Sequence, residues 1–220
     1  MLARKKQYYI VGIDEVGRGC LVGTVVVAAV ALMQGVRYKF QGLRLKDSKK
    51  LSEKQRAAWF RWIKTQNIFY AVARCQPKTI DRINISRAAN RAATRALKKL
   101  LVNSKWQIEN RKSRLNVLLD GGLYLNKITN YHLPITNCRT IVRADEKYNC
   151  VKLASIVAKV HRDKFMKRIH KKYPKYGFDR HVGYGTKIHI RAIKKYGLCE
   201  LHRLSFVGNI YRMSRPACLG

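Results

Sequence analysis

The sequence is poor in acidic residues and very rich in basic ones. Asp and Glu account for 12 of the 220 residues, against 47 Lys and Arg, so the formal net charge is +35. A folded domain with such an excess repels itself unless a polyanion is its usual neighbour. Nucleic acid fits best, because each phosphate met by a cation also releases a condensed counterion. The alternative is that most of these charges are simply solvated, and charge alone says nothing about catalysis.

Long apolar runs and linker-like segments are also absent from the sequence. No run reaches the ~18 apolar residues of a membrane span, and the apolar part of residues 1–15 is too short for a signal-peptide core and is interrupted by Asp14 and Glu15. We therefore expect a cytoplasmic protein with no membrane partner. With four prolines, no internal repeat and no Pro/Gly/Ser-rich linker, residues 1–220 are predicted to form one compact domain, which we expect to be a monomer.

The six cysteines are scattered along the chain, with no CxxC pair and no histidine at zinc-ligand spacing. In a chain without a secretion signal, small buried thiols are a better interpretation than disulfides. A zinc site is not expected.

Hydrophobic patterning predicts an α/β fold with a mixed sheet. Apolar runs predict strands over residues 8–13, 23–33, 67–74, 115–120 and 138–145. Apolar positions at helical spacing predict helices over 53–64, 85–102, 149–171 and 187–196, with Ser52 and Thr186 as caps of the first and last. Three early strands followed by strands that alternate with helices are typical of this fold class.

Four of the scarce acidic residues lie where predicted strands end. Asp14 and Glu15 end the first strand, Asp120 ends the fourth and Asp145 ends the fifth. Functional sites of open α/β sheets are built at such an edge. A single Asp at the end of a strand is as often a turn former or helix cap, but several in so basic a chain favour a shared site.

Carboxylates gathered at one point repel one another and would partly protonate unless a cation balances them. Oxygen ligands without a Cys/His set favour a hard cation, Mg²⁺ or Mn²⁺. A pair of such ions can activate a water molecule and stabilise the leaving oxygen of a phosphodiester. Bridging cations would also explain how a basic protein holds acids beside phosphates.

Six ordered blocks of the sequence resemble the type 2 ribonuclease H family. They are GIDEVGRGCLVG (12–23), LKDSKKLSEKQR (45–56), VLLDGG (117–122), RADEKYNCVKLASIVAKVHRDKFM (143–166), YPKYGFDRHVGYGTKIHIRAI (173–193) and LHRLSF (201–206). The resemblance implies a ribonuclease H-like fold, a five-stranded mixed sheet flanked by helices with a helical C-terminal extension. The catalytic core would span about 8–172 and the helical portion about 173–206, while the tail 207–220 matches no part of the family pattern.

The resemblance also implies an endoribonuclease that cuts the RNA strand of RNA–DNA hybrids. Such an enzyme incises 5′ of ribonucleotides embedded in duplex DNA and leaves a 3′-hydroxyl and a 5′-phosphate. The acids Asp14, Glu15, Asp120 and Asp145 match the family's tetrad, which binds two divalent ions, Mg²⁺ or Mn²⁺. For the fourth acid, Glu146 and Asp163 are alternatives, although Asp163 is better interpreted as structural, paired with the cations of its helix.

The loop Gly17-Arg18-Gly19 matches the part of the family that senses the ribose 2′-hydroxyl. Glycines let backbone groups approach a sugar closely, and the 2′-hydroxyl distinguishes RNA from DNA. The alternative is a tight turn after the strand, and both interpretations can hold together.

Three further residues match family positions that contact nucleic acid. Tyr184 matches a tyrosine that packs on a sugar beyond the scissile junction, as aromatic rings in binding loops commonly do; the alternative is a partly buried loop aromatic. Lys49 and Asn84 match positions of phosphate contacts, and for Lys49 one solvated lysine among many is the alternative.

Two other classes of protein remain open at this point. One is a non-catalytic basic nucleic-acid-binding protein, such as a ribosome-associated one, which has no need for acids at strand ends. The other is a different ribonuclease H-like nuclease, such as a resolvase, which shares the metals without selecting ribonucleotides.

Overall fold

The computed structural model describes residues 8–36, 38, 44–103, 114–126 and 135–212. Predictions that fall on residues 1–7, 127–134 or 213–220 lie outside these ranges. Within them, no helix combines the length and apolar character that crossing a bilayer requires.

The centre of the molecule is a five-stranded mixed sheet. Its strands are β1 (Tyr8–Val16), β2 (Val25–Met33), β3 (Phe69–Cys75), β4 (Arg114–Asp120) and β5 (Ile135–Ile141). The spatial order is β3-β2-β1-β4-β5, with β1–β2 and β2–β3 antiparallel and β1–β4 and β4–β5 parallel. This is the fold class that the sequence predicts.

Helices cover both faces of the sheet and form the C-terminal portion. They are α1 (Glu53–Thr65), α2 (Pro77–Ile83), α3 (Ile85–Asn103), α4 (Ala144–Lys147), α5 (Asn149–Lys172), α6 (Phe178–His181), α7 (Lys187–Tyr196) and α8 (Leu204–Arg212). Two 3₁₀ turns, Ser48–Lys50 and Pro174–Tyr176, precede α1 and α6.

Strand β2 explains why the sheet has a core on each side. Successive side chains of a strand point to opposite faces, and Val25, Val27 and Ala29 join a core with α3, whereas Val26 and Ala28 join a core with α1 and α5. An apolar run without polar alternation is the pattern of a strand that is covered on both faces.

The predicted helix starts are confirmed at their caps. Ser52 accepts a hydrogen bond from the amide of Gln55, whose side chain in turn accepts from the amide of Ser52, so the first turn of α1 is closed by a capping box. The Thr186 side chain caps α7 by accepting from the His189 amide. These two helix starts could be predicted from the sequence because the capping hydrogen bonds join residues three positions apart and need no tertiary contact.

Other predictions for the elements were incomplete or wrong. Strand β5 ends at Ile141, and Asp145 lies beyond it on the one-turn helix α4, because Arg143 takes a left-handed conformation (φ 57°) that turns the chain. The sequence patterns do not predict helices α2 and α8, and α8 extends into the tail 207–220, which matches no part of the family pattern. Cys138 is exposed on the edge strand β5 and is therefore not a buried thiol, although all five described cysteines are free.

Candidate active site

The sheet brings Asp14 and Asp120 to one edge. Strands β1 and β4 are parallel neighbours, and Ile13 is in register with Leu119, so the next residue on each strand is an aspartate. Asp14 and Glu15 lie within the last residues of β1, and Asp120 is the last residue of β4. The expectation that strand-end acids meet in space is met for these residues.

Asp14 is buried at this edge. Burial raises the pKa of its carboxyl group well above the usual value, the charges of Glu15 and Asp120 raise it further, and a hydrogen bond from Ser155 opposes the shift. Ser155 lies on α5, and its hydroxyl oxygen is 2.7 Å from that of Ser48, where either hydroxyl group can donate. The carboxylate is thus held in place by the long helix behind it.

Glu15 is ion-paired on one oxygen and unsatisfied on the other. Its Oε1 lies 3.3 Å from Nη1 of Arg18, whereas Oε2 is buried without a hydrogen-bond partner. Burial raises the pKa of Glu15, Arg18 opposes that rise, and Asp120 adds to it. A buried acceptor without a partner is costly, so a ligand for Oε2 would relieve the site.

Asp120 and Asp145 are joined through the start of α4. One oxygen of Asp120 accepts hydrogen bonds from the amides of Ala144 (2.8 Å) and Asp145 (3.4 Å). This bond docks α4 against the end of β4 and makes Asp145 buried beside Asp120. Burial raises the pKa of Asp145, Asp120 raises it further, and Lys49 lowers it.

Lys49 lies beside Asp145 at the edge of the site. Its Nζ lies 3.6 Å from Oδ2 of Asp145, while its side chain stays 79% exposed. Burial lowers the pKa of Lys49, but the charges of Asp145, Asp47 and Asp14 outweigh that effect and raise it overall. Asp47, which the sequence did not single out, caps the 3₁₀ turn by accepting from the Lys49 amide.

The donor atoms of these four acids suit a divalent cation, but their side chains are not arranged as a finished metal site. In the described ranges, no three Asp, Glu, His or Cys side chains form a group ready to hold a metal ion. The donor set is nevertheless all oxygen, three of its pKa values are raised, and Glu15 Oε2 lacks a partner. Positive charge at this edge would relieve both the repulsion and the unsatisfied oxygen.

The buried Arg203 fixes the Gly17-Arg18-Gly19 loop, and the buried Arg162 packs against Gly17. Arg203 donates to the carbonyls of Gly17 (2.7 Å), Arg18 (2.8 Å) and Gly23 (2.9 Å). Gly17 has φ +92°, and a Cβ there would lie 2.6 Å from the Arg162 side chain, so this position requires glycine. The loop is therefore a rigid turn, as one of the two interpretations predicted.

Arg162, on α5, links the segment that follows this loop to the loop that carries Tyr184. It donates to the carbonyls of Thr24, Val22 (3.2 Å) and Val182 (3.1 Å). Tyr184 is 44% exposed. Burial raises the pKa of its phenol, with Cys20 adding to the rise and Arg162 and Lys49 opposing it.

Asn84 and Arg18 lie on the opposite side of the site. Arg18 also donates to the Gly122 carbonyl (3.3 Å) and to Ser86 Oγ (3.1 Å). Asn84 is exposed at the start of α3, where its side-chain oxygen accepts from the Arg87 amide (3.0 Å). Its backbone has φ 64° and ψ 166°, a region that residues other than glycine rarely adopt, and its exposed side chain keeps an amide NH₂ group as a possible donor.

A row of cations leads away from the site along α3. This helix carries no acidic residue, and exposed basic side chains recur every four residues at Arg87, Arg91, Arg95 and Lys99. At 1.5 Å per residue the row is roughly 18 Å long. Such a row can contact several phosphates of one strand.

The comparisons with known proteins agree with the six sequence blocks. The family model described as Ribonuclease HII matches residues 11–209. The chain belongs to the ribonuclease HII family. A ribonuclease HII from Ruminiclostridium cellulolyticum is 43% identical over 201 residues, 91% of this chain and 71% of that protein.

Solved structures share the fold of this ribonuclease HII family member. Ribonuclease H2 from Pyrococcus horikoshii superposes with a TM-score of 0.66 at 22% identity, covering 94% of this chain and 99% of that one. Bst-RNase HIII in complex with Mn²⁺ superposes with a TM-score of 0.65 at 20% identity, covering 96% and 70%. Together with the family match, these likenesses identify the chain as an enzyme, an endoribonuclease of the ribonuclease H type.

Reasoning from the sequence missed the residues that support the ribonuclease HII site from behind. Arg162, Arg203 and Ser155 were inside quoted blocks but received no role. Arginine is almost never fully buried unless it is paired, so composition gave no signal for Arg162 and Arg203. The pairing expected for Asp163 is present, since Lys159 on the same helix (2.7 Å) and Arg56 on α1 (3.4 Å) both pair with it.

Proposed function

We propose that this endoribonuclease hydrolyses the RNA strand of RNA–DNA hybrids and incises 5′ of single ribonucleotides in duplex DNA. We further propose that Asp14, Glu15, Asp120 and Asp145 together bind two divalent cations, Mg²⁺ or Mn²⁺, and that the products are a 3′-hydroxyl and a 5′-phosphate. The observation that carries the proposal is the buried acidic cluster, with its raised pKa values and the unsatisfied Oε2 of Glu15. The Mn²⁺ in the Bst-RNase HIII structure supports the choice of metal.

When bound, these ions supply a Lewis acid and an activated water molecule for attack on the phosphodiester. The chain's own contribution is to hold the acids in fixed orientations. Ser155 holds Asp14, the α4 amides hold Asp120, and Arg18 holds one oxygen of Glu15. Lys49 lies where it can exchange its contact with Asp145 for a substrate phosphate.

Selection of the ribonucleotide is assigned to the rigid loop Gly17-Arg18-Gly19 and to Tyr184. Because Arg203 occupies the loop's carbonyls and Arg162 joins the segment after it, at Val22, to the Tyr184 loop, their spacing is set before substrate binds. A preorganised turn can discriminate a single 2′-hydroxyl because it does not relax around a deoxyribose. Asn84 and Lys49 are assigned to phosphate contacts on either side.

One assay separates this proposal from the two rivals. A DNA duplex with one embedded ribonucleotide is incubated with the enzyme, with and without Mg²⁺ or Mn²⁺, beside an all-DNA duplex and an all-DNA four-way junction. Cleavage 5′ of the ribonucleotide that requires metal supports the proposal. Cleavage of the all-DNA junction favours a resolvase-like enzyme, and binding without cleavage favours a non-catalytic protein.

The matched variant for this assay is Asp14→Asn, which keeps the shape of the side chain and removes its charge. We expect cleavage to fall by at least about a thousandfold, in line with the loss of a group that acts on the reacting centre, while binding of the duplex is retained. Near-normal turnover by this variant would refute the assignment of Asp14.

A further inference from the structure

Three buried histidines lie directly behind the loop that carries Tyr184. His181 ends α6, His189 lies in the first turn of α7, and His202 precedes α8; they are 7%, 0% and 2% exposed. The rings of Tyr176 and Phe178 pack around them. The residues are 8 to 21 positions apart in sequence, and the proposed chemistry does not use them.

The proton positions on two of these rings follow from their partners. The Cys199 amide donates to Nδ1 of His202 at 2.9 Å, so that nitrogen is an acceptor and cannot also donate to the Cys199 carbonyl 3.2 Å away. The neutral ring then carries its proton on Nε2, which lies 3.2 Å from Nε2 of His189. His189 accepts there and donates from Nδ1 to the Tyr184 carbonyl at 2.9 Å.

The result is a chain of hydrogen bonds, here called the histidine relay, in which the donor and the acceptor of each bond are fixed. It runs from the Cys199 amide through His202 and His189 to the Tyr184 carbonyl. His181 adds a second hold on the same loop, because its Nδ1 accepts from the Gly183 amide (3.3 Å) and its Nε2 donates to the Tyr176 carbonyl (2.7 Å). The rings of His181 and His189 stack with centroids 4.4 Å apart.

The opposite side of the Tyr184 loop is docked on the loop that follows Gly17-Arg18-Gly19. The Leu21 amide donates to the Gly183 carbonyl at 2.9 Å, and Arg162 donates to the carbonyls of both Val22 and Val182. The Tyr184 loop therefore lies between the histidine relay and the proposed ribose sensor. Its position is determined from both sides.

We propose that His189 and His202 are positioning residues for cleavage at a ribonucleotide. Their relay fixes the Tyr184 carbonyl and so holds the phenol ring at a set distance from the Gly17-Arg18-Gly19 loop. This inference rests on the proposed function, in particular on the role assigned to Tyr184. The histidines touch neither substrate nor metal and act through the loop.

The relay itself can be tested without any activity measurement. Two-bond ¹H–¹⁵N correlation spectra of the protein at pH 7 report the tautomer of each histidine ring. We expect neutral rings with the proton on Nδ1 of His189 and on Nε2 of His202. The opposite tautomer on either ring, or a charged ring, would overturn the relay even if the enzyme cleaves as proposed.

The link to catalysis is tested with two variants at one position. His189→Asn places an amide NH₂ where Nδ1 was and can still donate to the Tyr184 carbonyl, whereas His189→Phe keeps the ring shape and loses the donor. We expect His189→Phe to lower kcat/KM on the single-ribonucleotide duplex by about tenfold, the usual effect of one lost hydrogen bond to a buried group. His189→Asn should recover most of that loss.

A double-mutant cycle with Tyr184→Ala shows whether the effect passes through Tyr184. If the histidine positions this ring, His189→Phe should change kcat/KM by less than about twofold in the Tyr184→Ala background. An unchanged tenfold effect there, or equal activity of the Asn and Phe variants, would overturn the proposal. If the wild-type protein cleaves nothing, the proposed function fails, whereas the tautomer result still decides whether the relay exists.

Discussion

The buried histidines make the stability of this fold depend on pH in a way that can be calculated. Burial lowers the pKa of both His189 and His202 to about 4, against about 6.5 for an unfolded histidine. Above pH 6.5 both histidines are neutral in the folded and in the unfolded chain, so they do not lower the free energy of unfolding. As the pH falls from 6.5 towards 4, the unfolded chain takes up protons that the folded state refuses, so the free energy of unfolding decreases.

The expected size of this effect is about 2 kcal/mol per histidine at pH 5, from the two pKa values and the linkage relation, and about 4 kcal/mol for the pair. The acids at the candidate active site act in the opposite direction. Burial raises the pKa of Asp14, Glu15 and Asp145, so without metal their contribution to stability increases as they protonate. A single pH curve would therefore mix the two effects.

The comparison that isolates the histidines is the wild type against His189→Asn/His202→Asn, measured by urea unfolding in metal-free buffer at pH 7.5 and pH 5. The asparagines can keep the hydrogen bonds to Tyr184 and Cys199 but do not titrate. We expect the wild type to lose about 4 kcal/mol more than the double variant between the two pH values. Parallel losses in both proteins would refute buried, neutral histidines at these positions.

Three further predictions concern backbone packing, the buried arginine and the basic helix. Gly12→Ala should destabilise the fold by about 3 kcal/mol or more, because a Cβ there would lie 2.2 Å from the backbone of α5; urea unfolding measures this. Arg203→Met should cost about 3 kcal/mol or more, since three buried carbonyls lose their donor, again measured by urea unfolding. Arg87→Gln/Arg91→Gln should lower the slope of log Kd against log salt by about 2 for a hybrid duplex, measured by fluorescence anisotropy.

Each of these has a matched control. Gly208→Ala, where an added Cβ meets nothing within 4 Å, should leave stability within about 0.5 kcal/mol, and equal effects at both glycines would contradict the close approach at Gly12. Arg203→Lys should recover little of the stability lost in Arg203→Met, because an ammonium group cannot reach three carbonyls at fixed angles. Full recovery of the wild-type stability would contradict the role of the guanidinium group. Arg61→Gln, on α1 across the sheet, should leave the salt slope unchanged.

The sequence predicted the elements whose signals are local. The continuous apolar run of β2 and the cap at Ser52 each lie within a few neighbouring residues, and they matched the structure closely. Helix α2 also carried a local signal, since Pro77 occupies its first turn, but the segment is too short for hydrophobic periodicity to show. The meeting of Asp14 and Asp120 followed from two apolar strands that end in acids and run parallel.

The parts of the site that the sequence did not reveal depend on contacts between distant residues. Asp145 is moved off its strand by the left-handed turn at Arg143 and by the hydrogen bond from its amide to Asp120. The buried guanidinium of Arg203 contacts carbonyls 180 to 186 positions away in sequence. The histidine relay likewise requires three segments to fold together before any pairing can be seen.

The most direct test of the central claim measures Mn²⁺ binding by electron paramagnetic resonance alongside cleavage of the single-ribonucleotide duplex. The proteins compared are the wild type, Asp14→Asn and Glu53→Gln, the last removing an exposed carboxylate on α1. We expect Asp14→Asn to lose both Mn²⁺ binding and cleavage, while Glu53→Gln matches the wild type in both. Cleavage that persists without Mn²⁺ or Mg²⁺, or Mn²⁺ binding that is unchanged in Asp14→Asn, would contradict an acidic metal site at this edge of the sheet.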